Sequence, residues 1–239
     1  LFRSAVSAKN LAEEKDAIKT LIGDISHQTK TPIANLLLYA QLLEEQDLPP
    51  ESREYASALE HQAEKLRFLI DALVKTSRLE SGVLAMTPKR HGIQQLLDAA
   101  SAQAAPGAEA KAITLTVEPT DLTARFDPKW TAEALYNLVD NAVKYTPAGG
   151  AVTLRAVGYE LFCRVDVTDT GPGIPESEQA RIFQRFYRSP SASEAEGVGI
   201  GLYLARQIAA GQGGYLKVSS RPGEGSTFSL FLPRAEGRP

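Results

Sequence analysis

The first eighty residues carry apolar side chains at seven-residue intervals, and this repeat constrains the fold more than any other feature of the chain. Such a repeat lays one apolar stripe along a long helix. It predicts a first helix from about residue 11 to residue 46, kinked or broken at Pro32, because proline removes a backbone donor and clashes with the preceding turn. The stripe consists of Leu11, Ile18, Ile22, Ile25, Pro32, Leu36, Tyr39 and Leu43.

A second helix is predicted from about residue 51 to residue 80, after the start signal Pro49-Pro50. Its stripe consists of Tyr55, Leu59, Leu66, Leu69 and Leu73. Further apolar residues widen both stripes beyond a two-helix seam, namely Leu21, Ile33, Leu37, Ile70 and Val74. We therefore expect two copies of this antiparallel helical hairpin, residues 1–85, to form a four-helix bundle as a homodimer. The alternative is that the hairpin packs against the rest of the same chain.

Charge and cysteine content narrow the class of protein. The 26 basic and 29 acidic residues give a net charge of −3 with both signs interspersed, which disfavours binding to nucleic acid. Cys163 is the single cysteine, so an internal disulfide is excluded and the cytoplasm is favoured. The apolar runs are far shorter than the ~20 residues of a membrane-spanning helix. Because the chain begins at Leu1, we expect a longer protein whose missing N-terminal region anchors it in the cell membrane.

The pattern changes after residue 82, and residues 86–90 are predicted to be a linker. Strands are then predicted at 113–117, 124–126, 151–157, 162–167, 215–219 and 227–232, and helices at 93–104, 128–145 and 200–210. This alternation favours an α/β sandwich in which helices cover one face of a sheet. We assign it to a second domain, residues 91–239.

The predicted helix at 128–145 carries a polar motif on one face. Asn137, Asn141 and Lys144 are spaced four and three residues apart, so they present two amides and one ammonium on the same side. An amide oxygen together with triphosphate oxygens makes a suitable shell for magnesium, and Asn141 is the candidate ligand. The alternative, a solvated polar face, is disfavoured because apolar residues place the helix against a core.

An aspartate and two glycines form the second motif. Asp169 ends a predicted strand, where its carboxylate can accept a hydrogen bond from an adenine amino group. Gly171 and Gly173 follow it and let the backbone approach the base without an intervening side chain. The alternative is an aspartate that only caps its own turn.

Two further glycine-rich turns complete the set. The first contains Gly197, Gly199 and Gly201 and precedes a predicted helix, whose free N-terminal amides and positive dipole end favour phosphate. The second is Gly223-Glu-Gly225-Ser-Thr227. Neither turn is specific alone, so their order and spacing with the other motifs carry the argument.

Residues 175–197 are polar and small enough to form a mobile lid over a nucleotide. Phe183 and Phe186 can anchor the hinge of this lid. Arg185 and Arg188 can reach phosphate oxygens, and the alternative is that both arginines are solvated.

In this order and spacing, the four motifs resemble the N, G1, G2 and G3 boxes of the GHKL ATP-binding fold. The segment Ile182-Phe183-Gln-Arg185-Phe186-Tyr-Arg188 resembles the F box of sensor histidine kinases. The resemblance implies a catalytic domain that binds ATP with Mg²⁺, and Asn141 would hold the metal. The implied ATP-binding residues are Asn137, Asn141, Lys144, Tyr145, Asp169, Gly171, Gly173, Arg185, Arg188, Gly197, Gly199, Gly201, Leu202 and Thr227.

The segment around His27, Ser-His-Gln-Thr-Lys-Thr-Pro, resembles the H box of the same family. If Ile22 and Ile25 lie on the seam, His27 points away from the bundle, and its neutral imidazole can attack a γ-phosphorus. The family usually has a carboxylate after this histidine. Gln28 stands there instead, and it can orient the ring but cannot take a proton.

The resemblance implies the core of a sensor histidine kinase that phosphorylates His27 from MgATP and passes the phosphoryl group to an aspartate of a response regulator receiver domain. Thr31 is implied in the reverse, phosphatase, activity. One rival is a GHKL ATPase of the topoisomerase, chaperone or mismatch-repair type, which lacks an H box and an F box. The other rival is a degenerate, non-catalytic scaffold, for which Gln28 is the only support.

Overall fold

A computed structural model describes residues 2–80, 86–189 and 198–234. The chain divides into two compact units, residues 1–85 and 86–239. The first unit is a hairpin of two helices, α1 (Phe2–Glu44) and α2 (Pro50–Glu80), and α1 continues through Pro32. Across the described part of the chain, no helix has the length and hydropathy needed to span a membrane.

The hairpin is closed by residues that widen the apolar stripes, and most of the described members of the seven-residue series stay exposed. Ile33, Leu37 and Ala63 are buried together, with Ile70 packed against them. Lys30 and Asp71 form an ion pair of 2.9 Å between the helices. The exposed large apolar residues include Ile25, Leu36, Tyr39 and Leu43 on α1 and Tyr55, Leu59, Leu66 and Leu73 on α2.

The second unit begins with strand β1 and is built around a five-stranded sheet. Its strands are β1 (Lys89–Gly92), β2 (Thr114–Val117), β3 (Thr123–Phe126), β4 (Ala151–Gly158), β5 (Phe162–Asp169), β6 (Tyr215–Arg221) and β7 (Gly225–Pro233). The large sheet has the order β2-β4-β5-β7-β6, in which β2 and β4 are parallel and the other pairs are antiparallel. Strands β1 and β3 pair separately.

Helices cover one face of this sheet. They are α3 (Ile93–Ala110), α4 (Pro128–Tyr145), the short α5 (Glu176–Gln179) and α6 (Gly201–Gly211), with a 3₁₀ turn at Arg181–Phe183. The core between helices and sheet contains Leu97, Leu135, Leu138, Val152, Val165, Ile208 and Leu230, all fully buried. The predicted fold, a helical hairpin followed by an α/β sandwich, is confirmed.

Residues 86–90, which the sequence predicts to be a linker, already carry contacts of the second unit. Lys89 pairs with Phe126 and Arg90 with Arg125, and the backbone N–H of Thr87 donates to Asp127 at 3.0 Å. The residues of β1 are exposed or half-buried, so neither face of the strand needs to be apolar. The sequence of this segment therefore lacks the apolar alternation that predicts a strand.

Candidate nucleotide-binding site

Helix α4, which carries the first motif, is fixed at its N-terminus by Asp127. One carboxylate oxygen accepts from the backbone N–H groups of Lys129 (3.1 Å) and Trp130 (3.3 Å), and the other accepts from Thr87. The backbone N–H of Asp127 donates to Gln212. Burial alone would raise the pKa of Asp127, but the hydrogen bonds from Thr87, Trp130 and Lys129 outweigh it and lower the pKa.

The C-terminus of α4 is fixed by a cation. The ammonium of Lys111 donates to the carbonyls of Val143 (2.9 Å), Lys144 (2.8 Å) and Thr146 (2.6 Å). These carbonyls lie where a helix runs out of intrahelical donors, and a positive charge there is favourable in the field of the helix dipole. The helix is therefore held at its N-terminus by its own N-cap residue, Asp127, and at its C-terminus by Lys111 from another part of the second unit.

The predicted ligands on α4 are half-buried and share one region with the third motif. The amide nitrogen of Asn137 donates to the carbonyl of Glu133 at 2.8 Å, and a Cβ at Gly201 would lie 2.7 Å from its amide oxygen. Asn141 is half-buried one turn later. The structure therefore brings the first motif against the start of α6, where Leu202 is also half-buried.

The end of α4 gathers charged and aromatic groups. The ammonium of Lys144 lies 5.5 Å from the ring centroid of Tyr145. Burial raises the pKa of Tyr145; the charge of Arg188 opposes this rise and that of Asp140 adds to it. Burial also raises the pKa of Asp140, against the effect of Lys144. Arg188 thus lies close enough to this cluster to influence it.

Asp169 is a buried carboxylate with one oxygen engaged. Its Oδ1 accepts from the backbone N–H groups of Gly171 (2.8 Å) and Ser226 (3.2 Å). Asp169 is only 5% exposed. Its Oδ2 receives no hydrogen bond from the residues that the structure describes. Burial raises the pKa of Asp169, and the two backbone N–H groups oppose that rise. The arrangement leaves a fixed acceptor for a ligand N–H.

The glycines of the second and third motifs sit where a side chain would collide with backbone. A Cβ at Gly171 would meet Asp169 Oδ1 at 2.8 Å and the carbonyl of Tyr145 at 3.1 Å. A Cβ added at Gly173, which has φ +73°, would collide with the carbonyl of Arg221. A Cβ added at Gly199, which has φ +72°, would collide with the carbonyl of Tyr187. Both positive φ values also favour glycine directly. Gly197 lies outside the described residues.

Thr227, which the sequence predicts to bind ATP, pairs with Thr168 and not with Asp169. Its hydroxyl lies 3.0 Å from that of Thr168, its partner across β5 and β7. Side chains alternate along a strand, so Thr227 faces away from the helix-covered side that Asp169 occupies. Ser226, one residue earlier, is buried and donates its N–H to Asp169. Counting strand parity back from buried Phe228 would have identified Ser226.

The F-box residues divide into buried and exposed members. Phe183 is buried, as expected for a hinge anchor, but Phe186 is 53% exposed at φ +59°. Arg185 donates to the hydroxyl of Tyr203 at 3.2 Å and stacks 4.9 Å from its ring. Arg185 therefore contacts α6 in this structure. Residues 190–197 of the predicted lid, which spans residues 175–197, lie outside the described residues.

The H box lies in the middle of α1. The side chain of His27 is outside the described set, so its predicted outward direction is not tested. Gln28 and Thr31 are exposed. The hydroxyl of Thr29 donates to the carbonyl of Ile25, which is compatible with a continuous helix.

Comparison with known proteins identifies both units. Residues 17–82 match the family described as "His Kinase A (phospho-acceptor) domain", and residues 126–236 match "Histidine kinase-, DNA gyrase B-, and HSP90-like ATPase". The chain belongs to the sensor histidine kinases. A phospho-acceptor domain ahead of the ATPase domain favours this family over the other GHKL ATPases, and it confirms the predicted resemblance and the ATP-binding fold.

Individual sensor kinases match nearly the whole chain. Sensor protein DivL of Caulobacter vibrioides is 34% identical over 229 residues, which are 95% of this chain and 29% of DivL. Sensor histidine kinase GacS of Pseudomonas protegens is 30% identical, over 95% of this chain and 26% of GacS. Sensor-like histidine kinase SenX3 of Mycobacterium tuberculosis is 30% identical, over 93% of this chain and 55% of SenX3. The chain thus spans about a quarter to just over half of these sensor kinases.

Solved structures agree with the fold. Full-length ShkA in complex with AMPPNP is 29% identical with a TM-score of 0.76, over 91% of this chain and 46% of ShkA. The histidine kinase AdeS of Acinetobacter baumannii has a TM-score of 0.65 at 20% identity, over 88% of this chain and 98% of AdeS, which supports the fold alone.

Proposed function

We propose that the second unit binds MgATP and that the γ-phosphoryl group is transferred to a ring nitrogen of His27. The arrangement around Asp169 carries this proposal. Its Oδ1 is engaged by two backbone N–H groups, so the carboxylate is held in place while its other oxygen is free to accept from the adenine amino group. Such a buried, oriented acceptor discriminates by hydrogen bonding, because a ligand without the matching donor leaves it unpaired.

The phosphates would lie along the polar side of α4 and the start of α6. Asn137 lies beside Gly201 at this junction, and Lys144 supplies a cation one turn beyond Asn141. A half-buried amide oxygen on Asn141 fits Mg²⁺, which takes few protein ligands when phosphate oxygens and waters complete its shell. The described residues contain no cluster of three or more His, Cys, Asp or Glu side chains that could hold a metal by themselves. The metal would therefore arrive with the nucleotide, where it neutralises phosphate charge.

In the transfer itself, a neutral imidazole nitrogen of His27 forms the N–P bond while the bond from the γ-phosphorus to the bridging oxygen breaks, which leaves ADP. The imidazole becomes cationic and then releases the proton of its other nitrogen to solvent. Gln28 can accept a hydrogen bond from that nitrogen through its amide oxygen and so orient the ring, but it adds no negative charge. Thr31, exposed one turn later, supports a phosphatase activity that returns the regulator to its unphosphorylated state.

The partners follow from the uncovered faces of the hairpin. A second copy of the chain would cover the exposed stripes of α1 and α2, because apolar rows on both helices of a hairpin are buried in a four-helix bundle. The receiver domain of a response regulator would then accept the phosphoryl group on an aspartate.

Incubation with γ-labelled ATP tests the function. Label that is stable to alkali and lost in acid is expected on the protein, and it should disappear in His27→Ala. His61→Ala is the matched control, since His61 is exposed on α2 and lies outside the H box. Free phosphate alone would indicate an ATPase, absence of both would indicate a scaffold, and label surviving on His27→Ala would exclude this acceptor.

A further inference from the structure

The turn that follows Asp169, residues 170–174, is tied to the β6–β7 hairpin by a glutamine that none of the four motifs contains. Gln179, the last residue of α5, donates through Nε2 to the carbonyl of Ile174 (3.0 Å) and to the carbonyl of Ser220 (2.9 Å). One amide group therefore uses both of its hydrogens to join the end of this turn to strand β6.

Ser220 completes the attachment. Its hydroxyl accepts from the N–H of Ile174 (2.8 Å) and donates to the carbonyl of Gly225 (2.8 Å), next to the hydroxyl of Ser226 (2.9 Å). Both backbone polar groups of Ile174 are thus satisfied by side chains, one by Gln179 and one by Ser220. Ser226 in turn donates its N–H to Asp169, so these bonds form one continuous set from α5 to the carboxylate.

The turn depends on these bonds because it has little regular structure of its own. Residues 170–175 belong to no helix or strand, and Pro172 and Pro175 have no N–H to donate. Besides the bonds to Asp169, Ser220 and Gln179, the turn is held at its start by two hydrogen bonds between Thr170 and Ala151 (3.1 and 2.9 Å). In its middle, the N–H of Gly223 donates to the carbonyl of Pro172 at 2.7 Å. Removing the side-chain bonds should release the turn while the paired strands beneath it remain.

We propose that Gln179 is a positioning residue for adenine recognition and that Ser220 is its partner. By holding Ile174, they keep the backbone between Gly171 and Ile174 in the conformation in which Gly171 and Ser226 orient the Asp169 carboxylate. Neither side chain touches the nucleotide in this proposal. The inference rests on the proposed role of Asp169 as the acceptor for the adenine amino group.

The test is nucleotide binding to Gln179→Met in the whole chain. Methionine keeps the length of the side chain and removes both donors. A net ~1 kcal/mol per bond corresponds to a factor of about five, so complete loss of two hydrogen bonds sets an upper limit of about thirtyfold. We expect the Kd for ATP to rise by at least about threefold within that limit. The rate of autophosphorylation at saturating ATP should stay within about twofold of the wild-type rate, because Gln179 and Ser220 lie on the adenine side of the proposed site.

A second nucleotide separates positioning from general weakening. Purine riboside 5′-triphosphate lacks the 6-amino group, so wild type should bind it more weakly than ATP. In Gln179→Met the ratio of the two Kd values should move towards one, because a displaced carboxylate no longer distinguishes them. Ser220→Ala should show the same change. Gln103→Met, on an exposed position of α3, and Ser219→Ala, exposed beside Ser220, are the matched controls and should keep the wild-type ratio.

The outcomes separate the two proposals. If wild type does not discriminate between the two nucleotides, the role of Asp169 fails, whatever Gln179 does. If wild type discriminates and the Gln179 and Ser220 variants keep the same ratio as their controls, the positioning role is overturned. An equal loss of affinity for both nucleotides also overturns it, since that result indicates a merely structural contribution.

Discussion

Replacing Lys111 by methionine should destabilise the second unit, because it removes the cation that closes the C-terminus of α4. Three carbonyls accept from its ammonium at 2.6–2.9 Å, those of Val143, Lys144 and Thr146. Without Lys111, these three carbonyls lose a hydrogen-bond donor. The last turn of a helix has no intrahelical N–H groups that could replace it. The same substitution removes a favourable charge from the negative end of the helix dipole.

The magnitude follows from these contacts. Hydrogen bonds from a charged donor contribute about 1.5–3 kcal/mol when removed one at a time, but three that share one ammonium are not additive. Lys111 is half-buried, so water replaces part of what is lost. A charge at a partly buried helix terminus contributes up to ~2 kcal/mol. We therefore expect Lys111→Met to lower the free energy of unfolding of this unit by about 2 kcal/mol.

Trp130 makes the measurement specific to the second unit. It is the only tryptophan of the chain, and it is buried in the first turn of α4. Urea unfolding followed by its fluorescence should show a lower midpoint for Lys111→Met, with an unchanged slope. Lys89→Met, at an exposed position of β1, is the control. A loss below about 0.5 kcal/mol, no larger than that of the control, would refute the capping argument because surface changes commonly reach that size.

Three further predictions concern the site. Asp169→Asn should weaken ATP binding by about 1.5–3 kcal/mol, as measured by calorimetry. Because burial raises the pKa of Asp169, the affinity of the wild type for ATP should begin to fall at a higher pH than an ordinary aspartate would give. An affinity that does not change on acidification would contradict this. Asn141→Asp should impair magnesium-dependent nucleotide use, and equal binding with and without Mg²⁺ in wild type would remove that role. Gln28→Glu should speed autophosphorylation in rapid-quench assays, within the ~10²–10⁴-fold range of a positioned proton acceptor, at unchanged ATP affinity; an unchanged rate would mean that another step limits turnover.

Local periodicity was sufficient to predict the elements that form the frame of the molecule. The seven-residue repeat located both long helices, and alternation located the strands of the large sheet, because each pattern records burial on one face. It did not reveal which apolar row closes the hairpin. Ile33 and Leu37 do so, while Leu36 and Tyr39 stay exposed. Periodicity shows that a row of residues is apolar, but it does not identify which helix packs against that row.

Contacts between distant residues explain what the sequence did not reveal. Lys111 acts on α4 more than 30 residues away, and Gln179 acts on Ser220 from another element. A single polar residue of this kind has no repeat and no turn signature, so local reasoning treats it as surface. Thr227 illustrates a different difficulty. The glycine-rich motif located the turn correctly, but a shift of one residue along a strand moves the side chain to the opposite face.

The exposed faces of α1 also bear on how a dimer could still receive a regulator. Successive residues of an α-helix are rotated by about 100°, so Thr31 is about 160° from Ile33, which packs against α2, and about 140° from Leu36, on the uncovered stripe. Thr31 is exposed. A second copy that covers Leu36 therefore leaves the direction of Thr31 open. The sequence predicts nearly the same direction for His27, four residues earlier. A dimer formed through Leu36 would therefore leave the phospho-acceptor accessible on a different face of the helix.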